Sequence, residues 1–285
     1  MFVPDEIRKC VAFVGYRQRN GIPQLAGTAF FLIRPIDNTE LSFEYTVTAK
    51  HVIDNIRDKG VSEVLLRVNM AGGSAQWIAT SLNRWTFHPD ESEVDVAIYR
   101  SVLPEEIDNR YFPLNACATD EVVKTVRIGL GDEVVIPGLF AHHHGQHRNV
   151  PIVRIGNIAA LPEEKIESQY GMMDAYLVEA RSIGGLSGSP VFAHVPVPLR
   201  SLEGFHTSSE TQFCLIGLMQ GHWDSRLSQA DSALDAYSGS ERVNVGIGIV
   251  VPATKILEVI NQPTIQEDEE RQRQELRKKR LPKLD

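Results

Sequence analysis

An all-β fold is what this sequence predicts, and three features predict it. Apolar runs are short, turn signals built on Gly, Pro and Asn-Gly recur every few residues, and almost no segment before residue 260 has the length of a long helix. A chain of 285 residues can hold one large or two small domains. With 42% hydrophobic and 23% charged residues it has the balance of a folded globular protein.

The elements follow in order. Lys9–Tyr16 is a short β-like run, and Arg17–Pro23 carries Asn20-Gly21, a hairpin signal. Leu25–Ile33 is the returning strand and Pro35–Glu40 a loop. Phe43–Lys50, rich in β-branched and aromatic residues, leads to His51. Val52–Lys59 is expected to make one or two helical turns before Gly60. Val61–Met70 alternates as a strand does, and Ala71–Ser74 breaks it. Trp77–Phe87 supplies another strand or two, and His88–Ser92 is a loop running into Asp95. Residues 102–122, polar and carrying Pro104 and Pro113, read as a linker. Beyond it the strand candidates are Thr125–Ile128, Asp132–Leu139, Val150–Ala160, Ala175–Ala180, Pro190–His194, Phe213–Gln220 and Val243–Val251. The expected division is an N-terminal barrel over 1–110, a C-terminal barrel over 111–260 and a charged helical tail over 261–285.

That tail changes composition sharply. Thr264 and Glu267 fit a capping box, acidic residues open the segment and basic ones close it, and Glu267/Arg271, Glu269/Arg273 and Glu275/Lys279 are i,i+4 pairs. With no apolar stripe, it reads as a solvated appendage, with docking of a regulatory protein partner as the alternative.

Composition excludes several functions. A net charge of −8 argues against nucleic acid, because phosphate binding needs a basic surface. No apolar run approaches the length of a membrane span. The N-terminus lacks a secretory pattern, and Cys10, Cys117 and Cys214 are sparse and odd in number. Together these point to a cytoplasmic protein whose cysteines are buried small hydrophobes.

The chemistry centres on Ser182–Phe192. Gly184, Gly185 and Gly188 allow a tight turn that lifts Ser187 out of the backbone and lets a carbonyl approach bare N–H groups. A serine hydroxyl needs a base to become a nucleophile. His51 ends the run Thr46–Lys50, and Asp95 opens the apolar run Val96–Tyr99. With Gly27–Phe31 ahead of the histidine and Gly246–Pro252 near the end, five motifs stand in a fixed order.

In these residues the chain resembles the trypsin/chymotrypsin-like serine peptidases in their intracellular bacterial form, over roughly residues 9–260. The resemblance implies two six-stranded antiparallel β-barrels with the active site in the cleft between them, and a closing helix over Thr254–Ile260. It implies Ser187 as nucleophile, His51 as general base and Asp95 as its orienting partner, with the N–H groups of Gly185 and Ser187 as oxyanion hole. Ser189 is the rival nucleophile; the family's Gly-x-Ser-Gly-x-Pro frame selects Ser187, and Ser-Gly-Ser-Pro resembles bacterial glutamyl endopeptidases. Leu186 stands where tryptic enzymes carry the aspartate that captures a new N-terminus, so activation by clipping is not expected. Arg181, six residues before Ser187, and His222, beyond Gln220, are expected to bind substrate and to favour an acidic or neutral side chain at the cut.

His142, His143, His144 and His147 crowd one loop. Gly145 interrupts any helical spacing and no carboxylate is nearby, so no metal is expected, nor any cofactor. The resemblance places this loop beside the substrate cleft. The expected function is a serine endopeptidase acting on protein or peptide substrates, kept as a regulated effector if a partner controls it. The competing reading is a catalytically silent protease-fold module that binds or scaffolds.

Overall fold

The computed structural model describes residues 2–37, 39–89, 94–168, 170–180, 185–201, 204–225 and 243–280. A short helix α1 (Asp5–Arg8) precedes strands β1 (Val11–Arg17), β2 (Pro23–Pro35) and β3 (Ser42–Thr48). Helix α2 (Lys50–Arg57) follows, then β4 (Glu63–Asn69), β5 (Ala75–Ser81), β6 (Trp85–Phe87), β7 (Ala97–Ser101) and β8 (Phe112–Pro113). These strands form one sheet in the order β5-β4-β1-β2-β3-β7-β6, with β8 parallel to β2 at its side. Phe13, Phe30, Leu66 and Ile98 are fully buried within it. The first of the two expected barrels is a half-barrel sheet. The end strands β5 and β6 meet through the Trp85 indole N–H donating to Thr80 Oγ1 at 3.2 Å, not through a backbone ladder.

The second half opens with helix α3 (Asp120–Val126), where the sequence predicts a strand over Thr125–Ile128. Thr119 accepts from Val122 N–H as N-cap, Asp120 and Glu121 fill the first turn, and Arg127 closes the helix at φ 62. Its valines read as a strand, yet Val122, Val123 and Val126 lie at helical spacing against the second core.

Strands β9 (Glu133–Gly138), β10 (Ile152–Ala160), β13 (Tyr176–Glu179), β14 (Pro190–Ser201), β15 (Gly204–Ser225) and β16 (Val243–Pro252) close into a six-stranded barrel in the order β10-β13-β16-β15-β14-β9. Between β10 and β13 stands a separate hairpin, β11 (Ile166–Ser168) with β12 (Gly171–Met173). Helix α4 (Ala253–Ile260) then buries Ile256, Val259 and Ile260. Phe112 from the connection and Phe192 from β14 touch with centroids 4.8 Å apart, tying the two halves together. Cys10, Cys117 and Cys214 are free and buried. No helix among the described residues is long and apolar enough to cross a membrane.

The predicted tail is a helix, α5 (Pro263–Arg280), but it is not a solvated appendage. It lies on the first sheet along a face made by Ile265, Glu269, Gln272, Arg273 and Leu276. Glu269 is fully buried and accepts from Tyr45 Oη, from Arg34 Nη1 at 2.9 Å and from Arg273 Nη2 at 3.2 Å. Asp268 pairs with Arg100, and Gln272 accepts from the same guanidinium at 3.1 Å. The stripe exists; three of its positions are filled by polar groups, Glu269, Gln272 and Arg273, that find partners on β2, β3 and β7.

Candidate active site

His51 is the second residue of α2. The helix forms because β3 runs into Ala49, after which Val52, Ile53 and Ile56 bury one face, while Lys50 and Asp54 pair on the other at 2.6 Å. Strand β7 pairs antiparallel with β3, Thr48 opposite Ala97. Continuing that register by two residues brings Asp95 beside the first turn of α2. There the carboxylate grips His51 at two points: Oδ1 accepts the backbone N–H at 2.8 Å, and Oδ2 lies 2.6 Å from Nδ1. Asp95 is 6% exposed. A carboxylate only accepts, so the proton sits on Nδ1 and the lone pair of the neutral ring sits on Nε2.

The Ser187 turn is stapled to the first sheet. Thr28 N–H donates to Ser187 O at 2.9 Å, Thr28 Oγ1 donates to Gly185 O at 2.9 Å, and Leu139 N–H donates to Thr28 Oγ1 at 2.8 Å. On its other side Gly188 N–H reaches Met219 O at 2.7 Å, and Met219 N–H reaches Ser189 O at 2.8 Å. Gly188 is obligatory twice over: its φ is +82°, and a Cβ there would stand 2.2 Å from Thr28 O. Gly27 leaves room for the turn in the same way, since its Cβ would sit 3.1 Å from Ser187 O. Leu186 is buried in the second core, which agrees with its having no ion-pairing role.

Thus His51 and Asp95 are in contact and Ser187 is held by a sheet they share. The third link takes a different form. Ser187 Oγ donates to the backbone carbonyl of Gln220 at 3.1 Å, and among the described residues His51 is not its acceptor. Gly185, at φ +104°, and Ser187 keep their N–H groups unspent in hydrogen bonds among the described residues.

Of the expected substrate residues, Gln220 lies on β15 at 2% exposure, with its Nε2 unpartnered among the described residues. His222 follows on the same strand, opposite Gly248. Arg181 lies outside the described residues. Ser189 Oγ is buried against Gly138, away from any base. His142, His143 and His147 are exposed, and His144 is half-buried with Nδ1 donating to Ala141 O at 3.1 Å. Among the described residues no group of three or more His, Cys, Asp or Glu is arranged to hold a metal ion.

One residue escapes sequence reasoning. Tyr170, at the tip of the β11–β12 hairpin, stacks on the His51 ring with centroids 5.0 Å apart and planes 16° from parallel. Burial, and then the charges of Asp95 and Asp54, push its phenol up to about 12. Nothing in the surrounding Ser-Gln-Tyr-Gly-Met marks it as a site residue.

The overall shape matches known structures. The MamO protease domain of Magnetospirillum magneticum, in its apo form, superposes with a TM-score of 0.54 at 14% identity, over 90% of this chain and 98% of that one. The chain has the trypsin-like double-barrel fold. An inactive serine-to-alanine mutant of Rv3671c from M. tuberculosis H37Rv is also similar, at a TM-score of 0.46 and 16% identity over 89% and 87% of the two chains. No protein-family model and no curated protein matches the sequence. Within the trypsin-like fold, the candidate site lies where the first sheet and the closed barrel meet.

Proposed function

We propose that the chain is a serine endopeptidase using His51, Asp95 and Ser187. The observation that carries this is the two-point grip of Asp95 on His51, beside a serine turn stapled to the sheet that holds both. It fixes the tautomer that leaves Nε2 able to take a proton. Ser187 Oγ, here bonded to the Gln220 carbonyl, leaves that partner for the imidazole in this reading. Oγ then attacks the scissile carbonyl carbon while Nε2 takes its proton. The Gly185 and Ser187 N–H groups receive the oxyanion, each such donor being worth roughly 3–4 kcal/mol. Collapse breaks the C–N bond and the imidazolium protonates the leaving amine. A water repeats the sequence to release the acid and free Ser187.

A second reading, a silent protease-fold binding module, is favoured by one specific observation: both the serine and the imidazole are already engaged, with Gln220 and Tyr170. A fluorophosphonate probe separates the two on folded protein. Covalent labelling of the wild type, lost in Ser187→Ala and in His51→Ala, is the expected outcome. Absence of any Ser187-dependent adduct removes the enzymatic reading.

A further inference from the structure

A pocket of about 390 Å³ opens beside β2, β4 and β5 of the first sheet, lined by Gln18, Pro23, Gln24, Leu25, Arg67, Trp77 and His144. Two of its lining residues lie on segments that lead to the serine turn. Leu25 is two residues ahead of Gly27 on β2, hence about 7–10 Å from the Ser187 backbone along an extended strand. His144 follows Leu139, whose N–H is bonded to the same Thr28 that holds the turn.

Arg67 is the unusual group here. It is 7% exposed, yet its three hydrogen bonds all go to neutral oxygens: His144 O at 3.4 Å, Asn149 Oδ1 at 3.1 Å and Gln146 O at 2.8 Å. No carboxylate among the described residues lies within ion-pair distance of it, and none lines the pocket. A buried cation without a counter-charge is costly. Burial alone accordingly holds its pKa below the usual arginine value.

The rest of the lining offers donors as well. Gln24 Oε1 already accepts from Tyr16 Oη at 3.1 Å and from Gln18 Nε2, so its amide N–H groups are what remains to offer. His144 Nδ1 is already spent on Ala141 O, so His144 adds no free donor, and Trp77 faces Arg67 across the β4–β5 ladder. A carboxylate, which only accepts, is the ligand that such a set of donors and one uncompensated cation fits. The surplus is local, since the chain as a whole carries −8.

We propose that this pocket binds an acidic side chain of an extended peptide lying in the cleft, two to three residues from the position facing Ser187. As a cleavage subsite it rests on the peptidase reading; as a binding site it does not. The test therefore uses the full chain carrying Ser187→Ala. The probes are acetyl-Ala-Ala-Glu-Ala-amide, its Gln twin and N-acetyl-L-glutamate, followed by the indole N–H resonance of Trp77, assigned by its loss in Trp77→Phe. The Glu peptide is expected to bind about tenfold tighter than the Gln peptide, the ratio of a charged to a neutral acceptor, and tighter than N-acetyl-L-glutamate. Gln24→Glu keeps both of the bonds that Oε1 accepts while placing a carboxylate in the pocket that Arg67 lines, and should abolish the preference without disturbing the loop that Arg67 holds. Equal binding of the two peptides, no binding, free N-acetyl-L-glutamate matching the peptide, or an undiminished preference in Gln24→Glu each overturns the assignment. Failure of fluorophosphonate labelling leaves it standing.

Discussion

Replacing Glu269 by alanine tests whether α5 is part of the fold. The carboxylate is fully buried and receives Tyr45 Oη, Arg34 Nη1 and Arg273 Nη2. Tyr45 is itself fully buried, so losing its acceptor strands a hydroxyl at about 1–3 kcal/mol. Breaking a buried ion pair costs about 3–5 kcal/mol. The two arginines are 21% and 26% exposed and can partly rehydrate, which favours the lower end and argues against adding the figures. A loss of about 3–4 kcal/mol is expected, which in a chain of this size lowers Tm by roughly 5–7 °C. Calorimetry at low and moderate salt is the assay, and burial predicts little difference between the two. Glu270→Ala, one residue along and 48% exposed, is the control and should stay within about 0.5 kcal/mol of wild type. If Glu269→Ala unfolds with Glu270→Ala, the helix is not anchored as described and the reasoning fails.

Two further predictions follow from the site and from the same buried network. Tyr170→Ala uncovers the His51 ring; an aromatic contact of this kind is worth about 0.5–1.5 kcal/mol, so fluorophosphonate labelling of Ser187 should accelerate about 3–10-fold. An unchanged or slower rate means that Tyr170 does not restrain the imidazole. Burial first, and then the hydrogen bond to Glu269, raise the Tyr45 phenol above its ordinary value. Because the folded state holds this proton more tightly than the unfolded chain, its contribution is intact below about pH 10 and is lost as pH rises beyond it. Wild type should therefore lose stability more steeply than Tyr45→Phe between pH 10 and 11 by thermal unfolding, and parallel curves count against the network.

Much of the architecture is legible because strands announce themselves locally. The Asn20-Gly21 turn, the alternation in Val61–Met70 and the apolar run before His51 each need only neighbours in sequence. Misreadings arise where a pattern serves two structures. Val122, Val123 and Val126 suit a strand or a helix face, and the Thr119 cap decides. The α5 stripe escapes a search for apolar residues because Glu269 and Gln272 occupy it, and their partners Arg34, Tyr45 and Arg100 are more than 160 residues away. Tyr170 escapes for a related reason. Its significance comes from a hairpin folding over α2, a contact between the two halves that no local pattern encodes.

The two engagements at the site bear on each other. Ser187 needs His51 to accept its proton, and His51 needs an open approach to Nε2. Here Ser187 is bonded to Gln220, whose amide Nε2 is buried without a partner among the described residues, while Tyr170 covers one face of the ring. An unpaired buried amide costs about 1–3 kcal/mol, comparable to the cost of undoing one neutral hydrogen bond at the serine. A peptide carbonyl placed against Gln220 would satisfy that amide as it entered. It would leave the Ser187 bond to the Gln220 backbone carbonyl in place, so only a peptide that binds better with Ser187 turned toward His51 shifts the serine. Under the proposed peptidase reading, alignment of the three residues then falls to a substrate with that differential affinity, because Leu186 is buried where clipping would require an ion-pairing aspartate.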